Sequence, residues 1–546
     1  MVRDMTRLTR RGFLLVGAGA VAVAAGAVAA RDPLRDLVRG DPSLEMGPKG
    51  DFTPPRRIRD CSRPANPVVA ENCREGTVAW TMDAVDGRVE GFFDRPSVDR
   101  GQELALRVRS DDPEVRIEVF RSGYYEGLGG RLVAKRTVTG RTQPDPHREQ
   151  GTGLISASNW SVSARFDTAS WPTGVYLAKL TGSSGSQGQA LAVVRDDGRA
   201  SDALVLIPDT TYLAYNYWGD YSLYAGADGS PRSVEVSYDR PSINVRANQA
   251  DWYLRADMPL VRWLEAEGYD VSYAAASDVG RRDLGRRKAW IWSGHSEYWS
   301  DEMRNAAEAA RDAGVHQAFM GANTAYWRVR FAPDPWSGEE GRVMVCYKGS
   351  EASPTTLGPG PVTDPVSPTT LWRDPAGPDR PENALIGVMY VGQDLSRNYP
   401  LVVPAGVAGD EPLWRGAGLE AASGPISIGR ELVGWEWDAV VDNGLTPRGL
   451  RRLSDTPVSG DILTGTGPTV TGSATSSAVV HRAASGALVF ATGSMLFSWG
   501  LDDLGLRLYS GGHPQGEPDD RVRQLTTNVL VEMGCRPGTP AVNLTL

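Results

Sequence analysis

Histidine and cysteine are scarce in this chain, five and four respectively in 546 residues. Chemistry that needs an imidazole therefore has few places to be. The cysteines make no zinc site. Cys61 and Cys73 stand twelve apart in a Pro/Asn-rich stretch with no second pair nearby, which is poor zinc spacing. A disulfide is the expectation there, with about 3 kcal/mol of loop-closure stabilisation. Cys346 and Cys535 either pair or stay buried. A basic patch is also missing. Lysines and arginines are dispersed and the formal charge is −9, which argues against nucleic acid as a partner.

What is present begins with length. A chain of 546 residues is too long for one core, so two or three domains are expected. The first thirty residues read as an address rather than as fold. Arg10-Arg11-Gly12-Phe13-Leu14 precedes a weakly hydrophobic Ala/Gly-rich stretch, and Ala27-Val28-Ala29 offers small residues for cleavage. This pattern predicts a twin-arginine export signal, and a periplasmic, cell-surface or extracellular location. The bland alternatives are an ordinary secretion signal or an uncleaved anchor, the one membrane contact expected of this chain.

Residues 31–76 read as a linker that wraps a domain. From 77 to 198 the pattern is β. Leu104-Ala-Leu-Arg-Val-Arg and Val115-Arg-Ile-Glu-Val-Phe alternate apolar and polar, and Gly174-Val-Tyr-Leu-Ala-Lys-Leu is a further strand. A β-sandwich is expected. At Ser201 the pattern changes. Ala203-Leu-Val-Leu-Ile207 is apolar throughout, as in a strand buried on both faces. A helix ending at Gly268, strands at 271–275, 289–292 and 317–320, and a helix over 301–313 follow. After a Pro/Gly-rich insertion at 331–385 come Ile386-Gly-Val-Met, Leu488-Val-Phe-Ala491 and a closing helix from Asp520. This alternation predicts an α/β domain over 199–537, doubly wound and mostly parallel, of flavodoxin or glutamine-amidotransferase type.

The chemistry concentrates at strand ends. Gly294-His295-Ser296-Glu297-Tyr298-Trp299 follows the Ala289–Trp292 run. Residues two apart in extended chain face one side, so His295 and Glu297 can share a cleft. The bland reading is helix-cap chemistry. A serine nucleophile elbow needs glycine where Tyr298 stands, and a cysteine elbow has no cysteine nearby. The run Thr211–Tyr224 carries five tyrosines and a tryptophan. It suits sugar stacking, phenolate ligation of a hard ion such as Fe(III), or an aromatic minicore. Asn323 follows the next strand and could polarise a carbonyl or make an Asx turn. Glu436, between Trp435 and Trp437, would have a raised pKa if buried; the bland reading is an exposed charge on a strand.

Together, Phe120-Arg-Ser-Gly-Tyr-Tyr125, Ala214-Tyr-Asn216, Gly294-His-Ser-Glu-Tyr-Trp299, Gly321-Ala-Asn323 and Gly434-Trp-Glu436 resemble the large (β) subunit of N,N-dimethylformamidase and its bacterial relatives. The resemblance implies a β-domain followed by an α/β domain with a mononuclear iron held by tyrosines and one glutamate. It implies Glu297 and Tyr215 as ligands, His295 beside the metal, and Asn323 and Glu436 around them. The chain departs from some relatives at Asp257-Met258, where they carry Glu-Tyr before the proline that is Pro259 here. Export departs from the family's amidase, which works inside the cell with a small partner subunit. The function implied is iron-dependent hydrolysis of an amide C–N bond in a small molecule, with His295, Asn323 and Glu436 catalytic. The competing class is a non-catalytic surface protein that binds polysaccharide. Oligomerisation stays open.

Overall fold

The computed structural model describes residues 60–82, 87–227, 230–242, 252–348, 364–419, 424–463, 469–504 and 518–546, with short strands at Leu15–Gly17 and Ala20–Ala22. Most of the expected export signal, most of the 31–76 segment and the middle of the Pro/Gly-rich insertion lie outside these residues. Cys61 and Cys73 are disulfide-bonded, and Cys346 and Cys535 are free and buried.

Residues 89–195 build two facing sheets. Val89–Phe93, Glu103–Ser110 and Ala164–Asp167 form one of three strands. Ser97–Asp99, Gln187–Arg195, Gly174–Gly182, Glu114–Ser122 and Gly130–Thr139 form one of five. Val115, Ile117 and Val119 point inward while Glu114 and Arg116 stay exposed, as a period of two demands. They meet Leu104, Leu106 and Val108 in one core. Gln187–Arg195 is buried along its whole length because Leu191 and Val193 also pack toward the next sheet.

That next sheet has seven strands, in the order Val271–Ala275, Ala203–Ile207, Ala289–Ser293, His316–Met320, Leu488–Ala491, Val479–Arg482, Arg451–Arg452. The first five are parallel and the last two antiparallel. Leu204, Leu206, Trp292 and Phe319 pack against Met303 and Ala307 on one face. Val205 and Ile291 pack against Leu260, Leu264 and Val529 on the other. Burial on both faces is why these strands read as unbroken apolar runs.

The expected fold class is nevertheless wrong. The chain is mostly β, 36 % strand against 18 % helix, in several mixed and antiparallel sheets. It is not a doubly wound parallel α/β fold of flavodoxin or glutamine-amidotransferase type. The parallel run covers five strands and stops. Beyond it the chain builds an antiparallel ribbon from Met389–Val403, Ile426–Ala439, Thr456–Leu463 and Thr469–Ser476. Another mixed sheet joins Tyr298–Ser300, Trp327–Ala332, Val343–Val345 and Glu235–Ser237. At Ile386-Gly-Val-Met, read as strand, Gly387 ends a short helix in the left-handed region (φ 97°), and the strand starts at Met389. The ribbon matters for function. Asp438 N–H donates to Gly493 O at 2.9 Å, which docks the end of Ile426–Ala439 beside the carboxyl ends of the parallel strands.

Candidate active site

Ser293 and Met320 pair at the ends of adjacent parallel strands. Gly294 then turns with φ 49°, and a Cβ on Gly321 would sit 1.8 Å from Gly294 O. The two loops therefore run against each other, and His295 and Glu297 come beside Asn323. Asn323 is left-handed, φ 54°. Its N–H donates to Asp438 Oδ1 at 2.8 Å, and its Nδ2 donates to Glu436 Oε2 at 2.9 Å. Glu436 and Asp438, two apart on one strand, thus grip one asparagine by side chain and by backbone.

Glu297 is fully buried, and its N–H donates to Thr211 Oγ1 at 3.0 Å. The Tyr215 hydroxyl donates to Glu297 Oε2 at 3.2 Å, and the Tyr224 hydroxyl reaches the same oxygen at 3.0 Å. The two phenol rings stack with centroids 4.1 Å apart. The Tyr298 hydroxyl bonds to that of Tyr224. His295 Nδ1 lies 3.2 Å from Ala322 O, which turns Nε2 toward Glu297 (3.1 Å) and Glu436 (3.5 Å). Trp252 stacks on the His295 ring at 5.6 Å, and Lys348 Nζ sits 3.6 Å from the Tyr224 ring centre.

The electrostatics follow from burial. Desolvation works against a charge on His295, but Glu436 and Glu297 overcome it and raise its pKa to about 9. Desolvation lifts the Glu436 carboxyl to about 7 against the pull of His295. It lifts Asp438 to about 7 as well. Lys348 is pushed down to about 7 by burial, against the attraction of Glu297. Burial, then Glu297, hold the Tyr215 and Tyr224 phenols well above their ordinary value.

His295, Glu297, Asn323, Glu436 and Tyr215, the five residues singled out in sequence, therefore meet in one buried cluster. The helix cap that the bland reading expected in this segment is present at Ser300, whose Oγ accepts the Met303 N–H, while the Glu297 carboxylate is taken up by the tyrosines. Ser296 Oγ accepts the Trp299 indole N–H at 2.9 Å. The tyrosine run is turned inward. Tyr212, Tyr215, Tyr217 and Tyr224 are all buried, so they present no platform to a polysaccharide. Met258 points elsewhere, with its methyl beside Gly129 of the β-part. Sequence reasoning placed only one phenol, Tyr215, beside Glu297; Tyr224 is a second phenol at the same carboxylate. Asp438, Trp252 and Lys348 were also passed over. Asp438 was detectable as the carboxylate two residues beyond Glu436; nothing in the local pattern marks Lys348.

Whether this donor set fits an iron can be judged from its oxygens. Two adjacent oxygens bound to one ion at about 2.1 Å lie roughly 3.0–3.4 Å apart for ordinary coordination angles. The hydroxyls of Tyr215 and Tyr224 lie 3.2 and 3.0 Å from Glu297 Oε2. The set is phenolic and carboxylic oxygen, the hard chemistry that a ferric ion prefers. Among the described residues no three His, Cys, Asp or Glu side chains cluster as ligands, so any metal here depends on the tyrosines. The residues fit.

Carboxylate, imidazole and carboxamide closing on a cluster of phenols make a buried centre suited to proton transfer and hard-oxygen ligation. The chain belongs to the family described as N,N-dimethylformamidase beta subunit-like, C-terminal, whose model matches residues 116–513. That family is one of dimethylformamidase-like hydrolases. A stretch of 132 residues is 33 % identical to the N,N-dimethylformamidase beta subunit of Paracoccus aminophilus and 32 % identical to that of an Alcaligenes species. In both cases it covers 22 % of this chain and 17 % of the relative. A Paenibacillus cycloisomaltooligosaccharide glucanotransferase complexed with cycloisomaltoheptaose aligns at 17 % identity, over 22 % of this chain and 16 % of that one, with a TM-score of 0.14. So low a score carries no argument.

Proposed function

We propose that this protein is an exported, iron-dependent amidohydrolase that cleaves the C–N bond of a small amide. The observation that carries the reading is the approach of the Tyr215 and Tyr224 hydroxyls to one oxygen of Glu297. These three residues would hold the metal. Bound there, iron would supply Lewis acidity and lower the pKa of a water so that it becomes a nucleophile toward the carbonyl.

The remaining steps belong to the chain. Glu436, with a pKa near neutrality, accepts the proton lost by water. His295, held protonated between two carboxylates, delivers a proton from Nε2 to the departing nitrogen. Asn323 spends one Nδ2 proton on Glu436, and the second is the donor for the developing oxyanion. Its Oδ1 and the Tyr390 hydroxyl are buried without a hydrogen-bond partner among the described residues, as expected of a chamber that a polar ligand completes. Trp252, Tyr326 and Tyr390 wall it with rings, which favours a small neutral substrate. The Cys61–Cys73 disulfide supports export, because such bonds persist in oxidising compartments.

The test is metal analysis of the purified protein beside Glu297→Ala and Tyr224→Phe, with N,N-dimethylformamide hydrolysis assayed on the same samples. The expected result is near-stoichiometric iron in the wild type and little in either variant, with activity following the metal. A wild type that takes up no iron under reconstitution sinks the metal reading.

A further inference from the structure

Arg240 is the least compensated charge in the neighbourhood of the site. It is 2 % exposed, yet no carboxylate pairs with it among the described residues. Placing a guanidinium in a dry interior without a counter-charge costs several kcal/mol in real proteins. Its hydrogen bonds go to backbone carbonyls instead. Nη1 donates to Tyr221 O at 2.9 Å and Trp218 O at 3.4 Å. Nη2 donates to Asn216 O at 2.9 Å and Leu213 O at 3.2 Å. Nε has no partner.

Those carbonyls belong to one segment. Leu213 lies in the last turn of the helix Asp209–Tyr215, Asn216 caps it, and Trp218 and Tyr221 lie in the turn that follows. That turn includes two left-handed residues, Gly219 (φ 78°) and Asp220 (φ 72°). The segment doubles back so that Leu223 N–H reaches Ala214 O at 3.1 Å. Tyr215 is bracketed by two of the gripped carbonyls, and Tyr224 lies three residues past the last. Asn216 ties the same turn to the arginine's own loop, with Nδ2 on Pro241 O at 2.8 Å. A planar fork with donors in fixed directions can hold such a set of carbonyls; a flexible ammonium cannot hold them all.

We propose that Arg240 is a positioning residue that sets the spacing of the Tyr215 and Tyr224 hydroxyls across Glu297. The inference rests on the reading of those two phenols as iron ligands. It acts through the backbone of residues 213–221 and touches neither metal nor substrate.

The experiment reconstitutes the full chain with ferric iron and reads the visible phenolate-to-iron absorption, iron affinity and circular dichroism. Wild type, Arg240→Met, Arg240→Lys and Arg240→Ala are compared, the last with and without a few millimolar guanidinium. The expected result is a roughly 10–100-fold loss of iron affinity in the Met and Lys variants, with a shifted or missing band and retained dichroism. Guanidinium should restore the band in Arg240→Ala. An unchanged band and affinity in Arg240→Lys overturns the inference even if Arg240→Met fails to fold. So does a loss of iron that only tracks loss of dichroism. If the wild type itself shows neither iron nor band, the iron reading falls first and this inference with it.

Discussion

At the scale of single residues, three groups of the site hold protons more tightly folded than unfolded, while buried Lys348 holds its own less tightly. His295 rises from 6.5 to about 9, Glu436 from 4.5 to about 7 and Asp438 from 3.8 to about 7. A raised folded pKa contributes stability that is fully present below the unfolded value and lost as pH climbs through the folded one. The carboxyl contributions fade from about pH 4 to about pH 7, and that of His295 from about pH 6.5 to about pH 9. The melting temperature of the metal-free protein should therefore fall between about pH 5 and about pH 7; above that the loss at His295 is opposed by the gain as Lys348, lowered to about 7, sheds its proton. Glu436→Gln has no proton to lose and should flatten that decline. A melting temperature that climbs over this range contradicts the assignment. The residues behind this behaviour were legible to different degrees. His295, Glu297 and Asn323 announce themselves because each follows a recognisable strand, and Glu436 because two tryptophans flank it. Arg240 and Lys348 do not, because each acts across folds of chain that local spacing cannot foresee.

At the scale of elements, the site depends on two strand ends closing on each other. Gly321 has no room for a side chain, since its Cβ would lie 1.8 Å from Gly294 O. That contact is backbone and cannot swing away. Gly321→Ala should cost about 3 kcal/mol in denaturant unfolding, the upper end of ordinary overpacking. It should also move the His295 pKa, read by NMR titration, back toward its ordinary value, because the loops bearing His295 and Asn323 must part. Gly198→Ala, with open space around it, is the matched control and should be nearly neutral. Equal effects at both glycines would show that the close approach is not what holds the site. Elements also explain where the fold was misjudged. The parallel strands could be read because burial on both faces leaves an unbroken apolar run. The ribbon of Met389–Val403 and Ile426–Ala439 could not. Its register shifts at several places between Tyr390 and Leu401, which breaks the period-two signal, and it follows a Pro/Gly-rich stretch that hides the change from parallel to antiparallel pairing.

At the scale of the molecule, a buried polar knot is among the links that join the β-part to the central sheet, and the disulfide holds the segment that completes it. Arg121 pairs with Glu265 through bonds of 2.7 and 3.1 Å, and Tyr273 adds a third at 2.9 Å. The short helix Pro67–Asn72 completes the knot. Asn72 donates to Glu265 at 2.8 Å and accepts the N–H groups of Tyr124 and Tyr125, while Glu71 accepts from the Tyr125 hydroxyl at 2.7 Å and from Arg131 at 2.5 Å. Cys73 follows that helix directly, so the link to Cys61 ties down the segment that leads into the β-part. A buried ion pair tolerates loss of a satisfying partner poorly. Cys61→Ser/Cys73→Ser should therefore lower stability by about 3 kcal/mol from loop closure, and reductant should lower the wild-type melting temperature while leaving the variant unmoved. If the cross-link works by keeping Asn72 and Glu71 in the knot, the loss should not add to that of Asn72→Ala. Combined in one chain, the two changes should cost less than the sum of their separate effects, because each releases the same helix. Strict additivity would mean that the disulfide acts only by restricting the unfolded chain, and that the knot holds without it.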